Sequence, residues 1–350
     1  MKQIRCVLVG FGNVGRAFVR LIDRKQSLLR DRYGLQVSIT GIATGRHGMA
    51  INPHGLEALE AIRLVEEGGS LDALSTAPRL ASTLEFIRTC PGDVLLENSP
   101  VNHQTGQPAA DHLRQALQQN MHAITANKGP VVHAYRELKD LAAAHNRRFL
   151  FESAVMDGAP IFSLFRNPLP AVELRGFFGI LNSCTNLLLE RMAQGETFEQ
   201  AVAYGKSIGI TETDPSADVD GWDAAIKVAA LATVLMGIPT KPQQVQREGI
   251  RGITPAMLRE AAQAGERWKL VCSARLENGV LKTSVAPQRV SSDSPLYAIG
   301  GTSSYVQFET DVLPGLGIVE SKPGPETTAY GLLTDLLYAV ASPLPENLII

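Results

Sequence analysis

The sequence lacks the features that would mark a disulfide scaffold or a nucleic-acid binder. Its four cysteines lie far apart and form no Cys-x-x-Cys pair, which excludes a disulfide framework and a thiolate zinc cluster. Charged residues make up only 19% of the chain, and 33 basic against 35 acidic side chains leave a net charge of −2. Because nucleic-acid binders usually carry a basic excess, we expect no nucleic-acid partner.

Long hydrophobic runs are absent as well. No segment offers the roughly 18 uninterrupted apolar residues of a membrane-spanning helix, so we expect no membrane partner. The apolar run at residues 4–9 is too short for a signal peptide and contains Arg5. At about 150 residues per domain, a chain of 350 residues predicts two domains and a sizeable core. We therefore expect a cytoplasmic, globular protein.

The first 150 residues alternate between two patterns. Apolar, β-rich runs take turns with stretches whose apolar residues recur at helical spacing, at 4–9, 14–22, 35–43, 93–97, 109–119, 122–125, 134–145 and 148–152. Such alternation predicts an α/β fold, with a Rossmann-type, doubly wound parallel sheet in a domain covering residues 1–150.

Beyond residue 150 the pattern is mixed. A strand-like run at 173–181 precedes helical stretches near 185–206 and 222–236. Further on, Asn278-Gly279 separates two strand-like runs, and this dipeptide is a strong signal for a hairpin. We therefore predict an α+β domain over residues 151–309, and we expect residues 310–350 to pack back on the first domain.

A glycine-rich loop follows the first predicted strand. Gly10-Phe11-Gly12-Asn13-Val14-Gly15 has the G-x-G-x-x-G pattern and opens a helix. In that context the first glycine permits a tight turn, the second lets the backbone approach a pyrophosphate, and the third lets helix and strand pack closely. The free N–H groups of the helix start favour the phosphates. The loop predicts a dinucleotide site.

The end of the second strand bears on which dinucleotide binds. NAD-type sites usually place a carboxylate there, on the ribose 2′-OH, but no acidic residue occurs between Asp31 and Glu57. Arg46 lies in this stretch and is suited to a 2′-phosphate. We therefore predict NADP as the cofactor, with NAD as the alternative.

Two later strands end in polar loops, Glu97-Asn98-Ser99-Pro100 and Thr125-Ala126-Asn127-Lys128. Ligands of open α/β sheets bind outside the carboxyl ends of strands. A cation at a helix start is electrostatically unfavourable, so Lys128 has no local reason to be there. We predict a functional role for Lys128, at the place where a nicotinamide ring and the substrate would meet, and we expect it to contact the cofactor.

An acidic segment precedes an apolar helix in the second domain. Five carboxylates crowd into this segment: Glu212, Asp214, Asp218, Asp220 and Asp223. Lys227 is the only ionisable residue from 224 to 240, so the helix is buried and the lysine needs a partner. Asp223 lies four residues before it, on the same face. A calcium loop is excluded, because Lys227 would replace the bidentate glutamate.

Two readings of Lys227 remain open, an ion pair that ties the helix to its loop or a group placed for proton transfer. Two lysines, several carboxylates and a nicotinamide site together suggest hydride transfer to a carbonyl carbon. A lysine ammonium would then protonate the alkoxide, and the carboxylates would hold a cationic group such as an α-amino group.

These segments resemble the homoserine dehydrogenase family. The glycine loop, Thr125-Ala126-Asn127-Lys128, Gly179-Ile180-Leu181-Asn182 with Thr185-Asn186, and residues 212–227 occur in the family's order. The resemblance implies reversible NAD(P)-dependent reduction of L-aspartate 4-semialdehyde to L-homoserine, on the route to threonine, methionine and isoleucine. It also implies a homodimer formed through the second domain.

The resemblance further implies roles for individual residues. Lys128 and Lys227 correspond to the catalytic pair, and Asn98 and Ser99 would lie beside the nicotinamide half of the cofactor. The residues expected to bind substrate are Glu212, Asp218 and Asp223, with Asp223 also orienting Lys227. A structural monovalent cation, usually sodium, would be held by the backbone carbonyls of Glu152, Val155 and Asp157.

The chain departs from the family pattern in three segments, Val155-Met156-Asp157-Gly158, Ser183-Cys184 and 322–329. We therefore expect cofactor closure at the last of these to differ from that of the family. The chain ends at Ile350, and we expect no inhibition by threonine through an appended domain. An aldehyde dehydrogenase would need a cysteine nucleophile beside a base, which the sequence does not offer. The remaining alternatives are a reductase of another amino-acid aldehyde and an inert NADP-binding sensor.

Overall fold

The computed structural model describes residues 1–211 and 214–341. In chain order the strands are β1 Lys2–Val9, β2 Leu35–Ala43, β3 Met49–Ile51, β4 Val94–Glu97, β5 His122–Thr125, β6 Phe149–Leu150, β7 Leu174–Ile180, β8 Gln246–Arg247, β9 Glu266–Glu277, β10 Val280–Ser291, β11 Ser304–Thr310 and β12 Leu316–Glu320. The α-helices are α1 Asn13–Tyr33, α2 Ala58–Glu66, α3 Thr83–Thr89, α4 Ala109–Gln118, α5 Lys128–His133, α6 Tyr135–Ala144, α7 Phe162–Arg166, α8 Ser183–Ala193, α9 Phe198–Ser207, α10 Ser216–Val219, α11 Trp222–Leu235, α12 Pro255–Gln263 and α13 Pro325–Val340.

The chain divides into two compact units. The first consists of Met1–Pro160 together with the C-terminal residues from Gly324, and the second is Ile161–Pro323. Our predicted boundaries lay at 150 and 310. The segment after 310 stays in the second unit as far as Pro323 because β12 pairs with β11 in an antiparallel ladder. The returning part is α13, which packs against α1 within the first unit.

The first unit contains the predicted parallel sheet, in the order β3-β2-β1-β4-β5-β6. Strands β2, β1, β4, β5 and β6 are parallel, and β3 adds an antiparallel edge that the sequence did not suggest. Because the strand order changes direction at β1, the carboxyl ends of β1 and β4 flank the switch point where α/β sheets bind ligands. The α/β, doubly wound architecture is confirmed.

The first helix shows why this sequence folds locally as it does. Phe18, Leu21 and Ile22 recur at helical spacing, are buried, and form part of the core that also includes β1, β2 and α13. Gly34 ends the helix in the left-handed conformation, with φ of 64°, and its N–H returns to the last turn. The helix is thereby fixed with its start at the glycine loop.

The second unit is built on a sheet with the order β12-β11-β7-β9-β10-β8. Its pairings are antiparallel except that of β8 with β10. The predicted Asn-Gly hairpin is present, with positive φ at both Asn278 and Gly279. The stretch near 185–206, which we predicted as one helical region, is two helices. Gly195, at φ 104°, ends the first, and Thr197 caps the second.

Within residues 1–211 and 214–341, no helix combines the length and the hydropathy that crossing a membrane would require.

Candidate functional site

The three glycines of the loop after β1 serve three different purposes. Gly10 has a φ of 87°, and a Cβ there would lie 2.4 Å from the carbonyl oxygen of Asn98. At Gly15 a Cβ would lie 2.7 Å from the carbonyl oxygen of Gly10, so this glycine permits close packing of helix and strand. A Cβ at Gly12 would meet nothing within 4 Å. The backbone is therefore open at Gly12, where a pyrophosphate is expected to approach.

The start of α1 is free to receive an anion. Its N-cap residue, Gly12, provides no side-chain hydrogen bond, and the first turn contains no acidic residue. The side chain of Asn13 accepts a hydrogen bond from Arg16 at 2.9 Å, and Val14 packs against the core. Unsatisfied N–H groups and the positive end of the helix dipole suit a phosphate.

Arg46 lies in the loop that follows β2 and is exposed. The loop is closed by a hydrogen bond from the Thr44 N–H to the Gly48 carbonyl, at 3.1 Å, and by one from the His47 N–H to the Thr44 hydroxyl, at 2.7 Å. Residues 44–48 of the turn include no acidic residue, although the Asp72 carboxylate accepts from the neighbouring Met49 N–H at 3.4 Å. An exposed guanidinium on this turn is suited to a phosphate rather than to a bare ribose hydroxyl.

The polar loops after β4 and β5 lie side by side, because these strands pair in parallel with Glu97 opposite Thr125. Asn127 caps α5 through the Gly129 N–H, at 2.9 Å, and its amide donates to the carbonyl oxygen of Ser99, at 3.1 Å. Lys128 is the first residue of α5 and is half-buried. Two segments that the sequence singled out are thus joined by one asparagine.

Asn98 is the most informative residue of this edge. Both polar atoms of its side-chain amide are buried and have no hydrogen-bond partner among the described residues. A buried amide without partners is costly unless a ligand or water satisfies it. Together with the open face of Gly12 and the uncapped start of α1, this orphaned amide fits a bound dinucleotide.

In the second unit, Asn182 gathers the candidate substrate residues. Its side-chain amide oxygen, Oδ1, caps α8 by accepting from the Thr185 N–H, at 2.8 Å. Its amide nitrogen donates to Asp218 at 2.6 Å and to Asp223 at 2.9 Å. One side chain therefore holds two carboxylates in place at the start of a helix.

Lys227 projects from α11 into the same cluster. Its Nζ lies 3.3 Å from the carboxylate of Asp223, one helical turn away, and donates to the Leu181 carbonyl oxygen at 2.6 Å. The lysine side chain is 16% exposed. The predicted pairing of Asp223 with Lys227 is present, and the ammonium is oriented by two acceptors while part of it stays accessible. Such an ammonium is suited to proton transfer.

Not all of the predicted carboxylates converge on Lys227. Asp220 instead pairs with Arg251, and Asp214 accepts hydrogen bonds from the backbone and the hydroxyl of Ser216. The carboxylates that crowd into this segment of the sequence therefore do not all gather at the lysine, because Asp214 and Asp220 have partners in their own neighbourhood. Glu212 lies outside the described residues.

The cysteines do not provide a nucleophile. Cys6, Cys90, Cys184 and Cys272 are buried free thiols. Burial raises the pKa of Cys184 to about 12, with the neighbouring Asp218 adding to the effect, and burial also raises the pKa values of Cys90 and Cys272 to about 12. Reactive cysteines need a depressed pKa, so the cysteine-dependent aldehyde dehydrogenase is disfavoured.

Two of the segments that depart from the family pattern pack against each other. Asp157, at φ 37°, accepts hydrogen bonds from the Gly324 N–H, at 2.7 Å, and from the Thr327 hydroxyl, at 2.8 Å. A Cβ at Gly158 would lie 2.4 Å from the carbonyl oxygen of Thr327. The Asp157 carboxylate thus caps α13, which leaves backbone carbonyls as the candidate cation ligands.

Sequence reasoning missed two residues that organise these sites. Asn182 was noted as part of a motif, but its contact with two carboxylates depends on the tertiary fold. Glu97 was noted as the end of a strand, although it is fully buried. Glu97 could have been identified as a carboxylate at the end of an otherwise apolar strand. Asn182 could have been identified as an N-cap residue before a predicted helix.

Comparisons with known proteins cover nearly the whole chain. A family model described as "Homoserine dehydrogenase, NAD binding domain" matches residues 10–152. A second, described as "Homoserine dehydrogenase", matches residues 160–337.

Individual relatives agree with the family models. An NAD(+)-dependent homoserine dehydrogenase of Pseudomonas canavaninivorans is 33% identical over 97% of this chain and 96% of its own length. A homoserine dehydrogenase of Methanocaldococcus jannaschii is 34% identical over 95% of this chain and 97% of its own. A solved hyperthermophilic archaeal homoserine dehydrogenase in complex with NADPH has a TM-score of 0.81 at 29% identity, covering 97% of this chain and 98% of that one.

Proposed function

This chain belongs to the homoserine dehydrogenase family, and we propose that it catalyses the reversible reduction of L-aspartate 4-semialdehyde to L-homoserine with the residues described above. The observation that carries this proposal is the cluster of Lys227, Asp223, Asn182 and Asp218 in a chain that also has the dinucleotide loop. The cluster combines one oriented acid with carboxylates that suit a cationic amino group.

Lys227 acts as the proton donor in this proposal. When bound, the reduced dinucleotide supplies the hydride that forms the new C–H bond at the aldehyde carbon. The carbonyl oxygen gains the electron pair of the C=O π bond and takes a proton from the Lys227 ammonium. Asp223 stabilises the charged lysine and orients it, and the Leu181 carbonyl fixes its position. In the oxidative direction the neutral lysine removes the proton from the hydroxyl.

The carboxylates bind the α-amino group of the substrate. Asp218 and Asp223 are both held by the Asn182 amide, and carboxylates are the groups that bind an ammonium through charge-assisted hydrogen bonds. We assign substrate binding to Asp218 and Asp223, and to Glu212 on the strength of the resemblance. Lys128, which opens α5 beside the Asn98–Ser99 loop, is assigned the second catalytic role.

We propose NADP as the preferred cofactor. The family binds NAD(P), and the P. canavaninivorans relative is NAD(+)-dependent. The support for NADP in this chain is Arg46 on the turn after β2, together with the lack of an acidic residue from 32 to 56. Arg46 would bind the 2′-phosphate, while Gly10, Gly12, Asn13, Val14 and Gly15 would hold the pyrophosphate.

Further features are proposed on the resemblance. A sodium ion would be bound by the carbonyls of Glu152, Val155 and Asp157. A homodimer would form through the second unit, as the resemblance implies. Buried free thiols are consistent with a reducing compartment, and we propose the cytoplasm.

The experiment follows the absorbance of NADPH with aspartate semialdehyde, and then of NADH under the same conditions. We expect substrate-dependent oxidation with both, with a higher kcat/KM for NADPH.

Two further measurements test the assigned residues. Replacement of Arg46 by alanine should lower kcat/KM for NADPH and leave that for NADH nearly unchanged. A matched aldehyde without the α-amino group tests the carboxylates, and we expect it to react poorly. No substrate-dependent oxidation with either cofactor would refute the proposed function.

A further inference from the structure

A fully buried carboxylate lies under the loop that would receive the nicotinamide. Glu97 ends β4 after Val94, Leu95 and Leu96, and its side chain is 0% exposed. Burying a carboxylate is strongly unfavourable unless its oxygens are hydrogen-bonded or paired. The partners that compensate for its burial therefore identify what the residue holds in place.

Those partners come from two different segments. Oε1 of Glu97 accepts the backbone N–H of Ser99, at 3.0 Å, and also the Ser99 hydroxyl. Oε2 accepts the hydroxyl of Thr125, at 3.0 Å, from the end of β5. The Nδ1 of His112, a buried side chain on α4, lies 3.6 Å from Oε1, beyond hydrogen-bond distance. The carboxylate thus links the loop after β4 to the neighbouring strand.

The same loop is held from its other side as well. The amide of Asn127 donates to the carbonyl oxygen of Ser99, at 3.1 Å, and the Asn127 N–H donates to the Thr125 hydroxyl, at 2.9 Å. Next to Ser99 stands Asn98, whose N–H is bonded to the Val9 carbonyl at 2.7 Å while its side-chain amide has no partner among the described residues. The loop is therefore rigidly held except for the one side chain that is left to bind a ligand.

We infer that Glu97 is a positioning residue, which holds the Asn98–Ser99 loop in the conformation that binds the nicotinamide half of the dinucleotide. Both donors of Ser99 are used by Glu97, and these bonds favour the observed arrangement of the loop before the cofactor arrives. Preorganisation of this kind lowers the entropy that binding would otherwise lose. The inference rests on the proposed function, because it presumes that a nicotinamide dinucleotide binds here.

The test separates the two halves of the cofactor. Glu97→Gln keeps the shape of the side chain but turns one acceptor oxygen into a donor, which cannot satisfy the Ser99 N–H and the Thr125 hydroxyl as the carboxylate does. Binding is measured by titration with NADPH and with 2′-phospho-ADP-ribose, which lacks the nicotinamide ring. We expect about a tenfold rise in Kd for NADPH and less than a twofold change for the fragment.

Two further variants complete the design. Thr125→Val removes one donor to the carboxylate without changing its charge, and should show the same selective loss to a smaller extent, even where Glu97→Gln folds poorly. Glu57→Gln replaces an exposed glutamate whose side chain makes no capping bond, and should bind both ligands as the wild type does.

The outcomes distinguish a failure of the inference about Glu97 from a failure of the proposed dinucleotide site. Equal weakening of NADPH and fragment would mean that Glu97 supports the whole unit rather than this loop, and would overturn the inference. Unchanged binding of both ligands by both variants would overturn it too. A wild-type protein that binds neither ligand would instead refute the dinucleotide site, and the role of Glu97 with it. A wild type that binds both ligands equally tightly would contradict a nicotinamide contact at this loop.

Discussion

The two units hold their candidate functional residues by different means. In the first, the residues stand on loops at the carboxyl edge of one parallel sheet, after β1, β2, β4 and β5. In the second, they stand at the start of α8, on α10 and on α11, and the side chain of Asn182 joins residues 36 and 41 positions away from it. The first site is therefore distributed over many backbone groups, whereas the second depends on a few side chains. Single substitutions should have larger effects in the second.

The largest effect is expected from Lys227. Lys227→Ala removes the proton donor and should lower kcat by about 10²–10⁴-fold, the range typical of general acid–base catalysis. Cofactor binding should hardly change, because the dinucleotide loop belongs to the other unit. The measurement combines steady-state turnover with NADPH titration of the same preparation.

A matched lysine controls for the loss of charge. Lys282 lies on β10 in the same unit, is 68% exposed and pairs with Glu277. Lys282→Ala should turn over like the wild type, since exposed ion pairs contribute little. Unchanged turnover in Lys227→Ala would contradict the proton-transfer role and leave the structural ion pair as the explanation.

The next effect concerns Asn182. Asn182→Ala removes two hydrogen bonds to carboxylates, each contributing about 1.5–3 kcal/mol, and the cap of α8, which contributes about 1 kcal/mol. We expect roughly a 10²-fold loss in kcat/KM for the amino-acid substrate, with a lower Tm.

Asn182→Ser separates these two contributions. Serine can still cap α8 by accepting from the Thr185 N–H, but its short hydroxyl cannot replace the amide that donates to both Asp218 and Asp223. Its Tm should therefore exceed that of Asn182→Ala, while its kcat/KM stays as low. If Asn182→Ser had wild-type kcat/KM, the asparagine would serve only the helix.

The sequence predicted most of the first site because its geometry is local. A strand, Gly10 to Gly15 and a helix start are contiguous, and the parallel sheet brings the other strand ends to the same edge. The role of Glu97 escaped prediction, since its contact with Thr125 arises only when β4 and β5 pair.

In the second site, only the local part was predictable. The pairing of Asp223 with Lys227 follows from their spacing on one helix, and it is present. The turning away of Asp220 toward Arg251 was not predictable, because nothing in the spacing shows which distant side chain competes for a carboxylate. The same holds for Asn182, whose partners are brought to it by the fold.

A smaller effect is expected at the glycine loop, where binding and stability can be separated. Gly12→Ala adds a methyl group into open space, so the fold should be unaffected while the Kd for NADPH rises about tenfold, or about 1.4 kcal/mol, because the backbone can no longer approach the pyrophosphate closely.

Gly10, in the same loop, and Gly34, at the far end of α1, provide the controls. Gly10→Ala places a side chain in the left-handed region, which costs about 1–2 kcal/mol, and also against Asn98, so its Tm should fall. Gly34→Ala introduces the same kind of backbone strain, because Gly34 has a φ of 64°, but a Cβ there would meet nothing within 4 Å. Its Tm should fall less, with normal cofactor affinity. A normal NADPH Kd in Gly12→Ala would argue against a pyrophosphate at this loop.

The smallest expected effect is on the pH dependence of folding stability in the first unit. His122, at the start of β5, has a pKa lowered from 6.5 to about 4, mainly by burial and further by Arg147 and Arg148. Above pH 6.5 the histidine is neutral in both states. Between pH 6.5 and 4 the unfolded chain binds a proton that the folded chain does not, so stability falls as the pH is lowered.

His122→Gln tests this assignment. In the wild type the Arg148 N–H donates to Nδ1 of His122 at 3.1 Å, and glutamine keeps an acceptor for it. The variant should therefore flatten this part of the pH profile. The measurement is the denaturant midpoint at about pH 7.5, 5.5 and 4.5, which spans the interval in which the protonation of His122 differs between the two states. The exposed His54→Gln serves as the control. Equal slopes in His122→Gln and the wild type would show that other groups, in either unit, govern the acid sensitivity.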